Sequence, residues 1–202
     1  MAYETEQEAF WAGRFGTDYI ERNRYALAPT IAFFGRALRA AQGVRSVFEI
    51  GANIGNNLAA LAALLPDARL HGIEINAAAH AELRAHVPDA LHGSILDTTP
   101  DETFDLVLCK GVLIHINPDR LGAVYDRAAA LSRRYVLMVE YYAPTPQEVP
   151  YRGERDRLFK RDFAGEFMDR SGFALVDYGF VYRRDPVSPQ DDVTYFLMER
   201  RA

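Results

Sequence analysis

Two carboxylates occupy equivalent places in two successive strand-like runs. Glu49 precedes the turn in Phe48-Glu49-Ile50-Gly51-Ala52-Asn53-Ile54-Gly55-Asn56-Asn57, and Glu74 ends Gly72-Ile73-Glu74-Ile75-Asn76. Gly51 lets the backbone turn sharply beneath a ligand, and Gly55 permits close packing where the next helix begins. A dinucleotide would lay its pyrophosphate over this turn, against the helix N-terminus, and Glu49 would repel it. A cationic ligand without phosphate is attracted instead. Glu74 lies 23 residues after Gly51, close to the roughly 20-residue spacing of a ribose-binding acid. A strand-end carboxylate can accept both ribose hydroxyls. The pair therefore describes S-adenosylmethionine, an adenosyl compound whose ammonium and sulfonium are cationic. Asn53 stands where a dinucleotide fingerprint has its middle glycine, which further disfavours a nicotinamide oxidoreductase.

Other strand ends complete the expected pocket. Ser94 and Ile95 should border the adenine; Lys110 and Val112 should pass the methionine moiety; Asn53, Asn56 and Ile75 flank the turn and the ribose. From the aromatic N-terminal segment, Trp11 and Tyr19 are expected to reach the cofactor. Glu140-Tyr141-Tyr142 ends a later strand and is the expected acceptor floor. An acid flanked by aromatic faces suits an amine or a guanidinium. Glu140 either orients N–H groups and takes their proton, or hydrogen-bonds the following loop. His115 is either structural or a proton acceptor. Tyr151, Arg157 and Lys160 lie in a charged loop that is either a solvated lid or a clamp on an acceptor carboxylate. A zwitterionic acceptor, a free amino acid such as arginine or an amino-substituted nonulosonic acid, satisfies both halves. No metal is expected, because none of the five histidines has the i, i+4 partner of a zinc helix. Cys109, the single cysteine, sits in an apolar run and reads as a buried structural thiol.

Elements that position these groups follow from alternating patterns. Buried strands are expected at 46–50, 69–75, 90–96, 104–108 and 135–140, and helices at 29–41, 56–65, 77–86, 118–131 and 163–170. Strands at 174–182 and 193–199 have only a loop between them and predict an antiparallel hairpin at a sheet edge. Alternating strand and helix means a mostly parallel sheet covered on both faces. The pattern predicts the three-layer, Rossmann-like class I methyltransferase fold, an α/β fold with seven strands in the order 3-2-1-4-5-7-6. One domain over 1–202 is expected: an N-terminal helical cap at 1–42, a core at 43–202 and an acceptor-side lid at about 143–162.

A net charge of −5 disfavours a nucleic-acid partner. The most apolar run, Phe104–Ile116, is too short to span a bilayer. The acidic N-terminus lacks a signal peptide's apolar stretch, so a cytoplasmic protein, a monomer or homodimer with a small-molecule acceptor, is expected. A silent cofactor-binding protein is the remaining alternative.

Longer motifs add a family. Phe10-Trp11-Ala12-Gly13 with Phe15-Gly16, the 49–57 turn, Lys110-Gly111-Val112-Leu113-Ile114-His115-Ile116-Asn117-Pro118, and Glu140-Tyr141-Tyr142 with Pro144-Thr145-Pro146 closely resemble the pseudaminic acid biosynthesis-associated methylases. Tyr151-Arg152-Gly153, the run from Leu158 to Gly165, and Asp177-Tyr178-Gly179-Phe180-Val181-Tyr182 look like the same family. The resemblance implies S-adenosylmethionine dependence. It leaves the acceptor open between a sugar acid and other small metabolites, free guanidino amino acids among them.

Overall fold

Apolar runs between glycine and proline stops become the strands of one twisted sheet. In the computed structural model, which describes residues 3–201, β1 spans Ser46–Ile50, β2 Arg69–Glu74, β3 Leu91–His92, β4 Phe104–Lys110 and β5 Ser132–Glu140. A two-stranded ribbon, β6 (Gln147–Glu148) and β7 (Phe159–Lys160), interrupts the series before β8 (Phe173–Val181) and β9 (Val193–Arg200). Helices α1 (Glu6–Ala12), α2 (Arg14–Arg22) and α3 (Leu27–Ala37) precede the sheet. Between and after the strands run α4 (Asn56–Leu64), α5 (Ala77–Leu83), α6 (Leu121–Leu131) and α7 (Phe163–Ser171). The main sheet runs β3-β2-β1-β4-β5-β9-β8, parallel through β5 and closed by antiparallel β9 and β8. Counting only its own strands, that is the expected order. No described helix is long and apolar enough to cross a membrane.

Strand β1 is buried along its whole length, so its alternating side chains feed two cores. Val47 joins Phe33, Leu61, Leu106 and Leu137 on the α3–α4 face. Phe48 and Ile50 join Val107, Tyr125, Val136 and Phe167 on the α6–α7 face. The strand order reverses between β1 and β4, which opens a crevice beyond their carboxyl ends.

Several boundaries differ from expectation for local reasons. The strand expected at 90–96 shrinks to β3, because only Leu91 and His92 pair with β2 before Gly93 turns at φ +155°. The following 94–98 stretch becomes a turn closed by Thr98 donating to the Ser94 carbonyl at 2.8 Å. The helix expected from 118 starts as a 3-10 turn over Pro118–Arg120, with Asn117 accepting the Asp119 amide at its start. Within the cap expected at 1–42, two short helices, α1 and α2, precede α3, which runs Leu27–Ala37 where 29–41 is expected. The supposed irregular lid contains the β6–β7 ribbon, pinned by buried Leu158 and Phe159.

Candidate active site

The turn after β1 is built for close approach. Gly51, Asn53 and Gly55 all adopt left-handed backbone (φ +70°, +49° and +86°). A Cβ on Gly51 would stand 2.6 Å from a Val112 methyl, so only glycine lets the β4 loop pass this near. Above the turn lies a cavity of about 890 Å³, near the upper end of the roughly 300–1,000 Å³ typical of ligand pockets. It has room for a nucleoside cofactor and a small second molecule.

The cavity wall brings together Trp11, Tyr19, Gly51, Asn53, Glu74, Ile75, Ser94, Ile95, Lys110, Val112, His115, Glu140, Tyr141 and Tyr151, all of which the sequence singles out. Glu49, Gly55, Asn56, Tyr142, Arg157 and Lys160 do not line it. Each has a local reason. The Glu49 carboxylate is fully buried and Oε1 accepts from Asn57 Nδ2 at 2.6 Å. Gly55 packs against Leu83, and Asn56 Nδ2 donates to the Asn23 carbonyl at 2.6 Å, tying α4 to the cap. Tyr142 follows Tyr141 on extended chain, so it points the other way, and it is 46% exposed. Arg157 places its guanidinium 5.1 Å from the Phe10 ring centre and donates to Glu6 and to the Asp156 carbonyl. Lys160 Nζ lies 5.0 Å from the Tyr141 ring centre. These last two brace the 143–162 segment against Phe10 and Tyr141.

Four carboxylates line the cavity, and their partners separate them. Glu8 closes the capping box of α1 by accepting from Thr5. Glu74 accepts from the Asn53 amide at 2.8 Å and the Asn76 amide at 2.7 Å; burial raises its pKa against the pull of these amides. Glu140 Oε1 accepts from the amides of Val112 and Leu113, both at 3.0 Å, while Oε2 is buried without a partner. Burial pushes Glu140 up to about 7, opposed first by those amides and then by Lys110. Of the two roles open to Glu140, the geometry is that of a carboxylate hydrogen-bonding a loop. Asp191 is the fourth: it is exposed at the cavity mouth beside Tyr141, and no backbone amide among the described residues donates to it.

Lys110 is half-buried among acids. Desolvation lowers its pKa, and Glu49, Asp191 and Glu140 pull the other way. Its ammonium lies 5.7 Å from the Tyr25 ring centre. Burial, with a smaller push from the Glu74 charge, raises Glu49 to about 8 against the opposing Asn57 hydrogen bond and Lys110 charge. His115 Nδ1 sits 2.6 Å from the Arg157 carbonyl and burial depresses the ring to about 4. The imidazole is therefore neutral, Nδ1–H donates to that carbonyl, and the Nε2 lone pair is left unpaired. Its ring packs on Trp11 and Tyr151, with centroids 4.4 and 5.1 Å away.

Sequence reasoning missed Tyr25, Arg183, Gln190 and Asp191 on the cavity wall. The last three belong to the β8–β9 loop, which in sequence is only a Pro/Asp-containing connection. Its one usable signal is that a hairpin beside β5 must return near the carboxyl end of that strand.

Residues 48–134 match a family model described as a methyltransferase domain. The chain has the fold of class I methyltransferases, and the family match covers its 48–134 portion. No curated protein matches the chain significantly. Among solved structures it resembles a Burkholderia thailandensis 1,6-didemethyltoxoflavin-N1-methyltransferase with bound 1,6-didemethyltoxoflavin and S-adenosylhomocysteine, at 18% identity and a TM-score of 0.74 over 100% of this chain and 92% of that one. It also resembles the magnesium protoporphyrin IX methyltransferase of Synechocystis PCC 6803 with bound S-adenosylmethionine, at 14% identity and TM-score 0.70 over the full length of both chains. A sugar N-methyltransferase from Streptoalloteichus sp. ATCC 53650 aligns at 14% identity and TM-score 0.69, covering 100% of this chain and 97% of that one. At these identities the likeness is one of fold.

Proposed function

We propose that this methyltransferase uses S-adenosylmethionine to methylate a nitrogen of a small zwitterionic metabolite, favoured as the guanidino or amino group of a free amino acid such as arginine. The observation that carries the cofactor is Glu74, a buried strand-end carboxylate on the cavity wall beside the glycine turn, with no phosphate-binding basic cluster in the turn. Glu74 holds the ribose hydroxyls, Ser94 and Ile95 border the adenine, and the backbone of 51–53 and 110–112 flanks the methionine end. The indole Nε1 of Trp11 is buried without a partner on this wall, a donor that a bound molecule would satisfy. Glu49 acts through Asn57 and its field rather than by contact.

Bound there, the sulfonium supplies a methyl group that leaves with the C–S electron pair remaining on sulfur. The chain's part is alignment, which can contribute about 7–11 kcal/mol. Asp191 faces the cationic end of the acceptor, with Tyr141 and Tyr25 as aromatic walls. Lys110, Arg152 and Arg183 balance the acids on the wall and suit a carboxylate end. As the nitrogen–carbon bond forms, the surplus proton on nitrogen passes to Asp191 and from there to water. His115, held neutral, accepts an N–H hydrogen bond through Nε2 and orients the nitrogen. Glu140 shapes the 112–113 backbone from beneath.

A second acceptor, an amino-substituted nonulosonic acid, is favoured by the motif resemblance to pseudaminic acid-associated methylases, and the likeness to a sugar N-methyltransferase is compatible with it. Calorimetric titration with S-adenosylhomocysteine and with NAD tests the cofactor; binding of NAD alone sinks the reading. Labelled S-adenosylmethionine with guanidino compounds, amino acids and amino sugars then tests the acceptor. Asp191→Asn is expected to raise the KM of a cationic acceptor roughly tenfold to a hundredfold, the worth of one charged hydrogen bond, and to leave S-adenosylhomocysteine affinity within about twofold. Equal loss of both refutes its place at the acceptor.

A further inference from the structure

Asn76 is 2% exposed and sits two residues past the end of β2. Its backbone amide donates to Glu74 Oε1 at 2.7 Å. Its side-chain Oδ1 accepts from the amides of Ala78 and Ala79, both at 3.1 Å, and so caps α5. Its Nδ2 faces outward into the N-terminal cap. The two amide hydrogens are shared among the carbonyls of Trp11 and Ala12 at 3.2 Å, the Gly13 carbonyl at 3.1 Å and Thr17 Oγ1 at 3.2 Å. The Trp11 and Ala12 carbonyls are left over at the end of α1, and the Gly13 carbonyl, which also accepts from the Thr17 amide at the start of α2, lies beside them.

A second contact fixes the same joint. Gly16 packs so closely that a Cβ there would stand 1.9 Å from the Trp11 carbonyl oxygen and 2.9 Å from Asn76 Nδ2. The joint holds Trp11 with its ring on His115 and Tyr19 and its unpartnered Nε1 on the cavity wall. One residue thus connects the carboxylate at the ribose position, the start of α5 and the aromatic roof.

We propose that Asn76 is a positioning residue that clasps the N-terminal cap over the cofactor, holding Trp11 in the closed cavity wall. This rests on the cofactor reading above for its ligand, and on the cap geometry alone for its mechanical part. The clasp consists only of bonds within the chain and needs no ligand to form. Its function is to remove the entropic cost of ordering the roof at the moment of binding.

Trp11 is the single tryptophan of the chain, so intrinsic fluorescence reports the roof directly. Asn76→Asp keeps an oxygen to cap α5, since Asp and Asn cap equally well, but removes the donors that hold the three carbonyls. Its thermal midpoint is expected to fall, since the three carbonyls lose their shared donor, with the variant still folded at 25 °C. Trp11 emission should shift to the red, acrylamide should quench it more strongly, and the Kd for S-adenosylhomocysteine should rise roughly tenfold to a hundredfold, the worth of two hydrogen bonds. Gly16→Ala leaves Asn76 intact, displaces the Trp11 carbonyl and should give the same fluorescence change. Should Asn76→Asp fail to fold, Gly16→Ala carries the test by itself. Parent-like emission and quenching in a folded variant overturns the clasp. So does an exposed Trp11 with unchanged S-adenosylhomocysteine affinity. Failure of the parent protein to bind S-adenosylhomocysteine instead sinks the cofactor reading, and the ligand-free quenching still decides the mechanical part.

Discussion

Replacing Glu140 distinguishes a loop-holding carboxylate from a chemical one. In Glu140→Leu the amides of Val112 and Leu113 lose their shared acceptor inside the protein. Each buried orphan costs about 1–3 kcal/mol, so the variant should lose roughly 2–6 kcal/mol, a large part of the 5–15 kcal/mol of a typical domain. Glu140→Gln keeps an oxygen where Oε1 stands and is isosteric with the protonated acid, so at pH 5 it should be near neutral. At higher pH the two diverge. Glu140 is raised from 4.5 to about 7, so the folded state holds a proton that the unfolded chain has released. The parent therefore loses stability as pH climbs from 4.5 through 7, by an amount of order 3 kcal/mol once fully ionised. The Gln variant has no such loss and should gain by that order relative to the parent between pH 5 and pH 8.5. Urea unfolding of all three proteins at both pH values measures this, and labelled methyl transfer gives the activity. Glu140→Gln should retain most activity at pH 7.5 and Glu140→Leu little. A Gln variant that folds normally, shows the pH-dependent gain and yet transfers no methyl group would refute the loop-holding role and return Glu140 to the chemistry.

Two further outcomes are expected. Glu74→Ala removes the acceptor of two turn amides as well as the ribose partner, and should weaken S-adenosylhomocysteine roughly a hundredfold or more by calorimetry; a loss under threefold would mean the ribose lies elsewhere. Binding of S-adenosylmethionine at pH 7.5 should release protons, because its positive charges favour ionised Glu49 (about 8) and Glu140 (about 7). Calorimetry in buffers of different ionisation enthalpy reads the sign, which should be weaker for S-adenosylhomocysteine; proton uptake contradicts the placement of the cation.

Much of the architecture was legible without coordinates, and the reason is local. Apolar runs at strand spacing, Ala/Leu stretches at helical spacing and prolines at their ends determine elements within a few residues, and the alternation determines the sheet class. The turn at Gly51 and the acid at Glu74 belong to the same class of signal, since a strand end fixes where its last side chain stands. The 94–96 strand failed for the complementary reason: its ends are set by pairing with β2, which stops at His92.

Side-chain partners across long stretches of chain were decided by tertiary structure. In sequence Glu140 and its tyrosines are the expected acceptor floor, with support of the following loop as the other reading. Only the arrival of the 112–113 amides, from 28 and 27 residues earlier, turns Glu140 into a loop support. The same folding sends Tyr142 outward, spends Arg157 on Phe10, and brings Asp191 from a bland hairpin loop to the cavity mouth. Asn76, which in sequence merely follows an acid, gathers three carbonyls from 63 to 65 residues away. A sequence pattern encodes which faces are apolar. Which polar groups meet depends on desolvation, since a buried donor or acceptor must take whatever partner the packed backbone brings within reach.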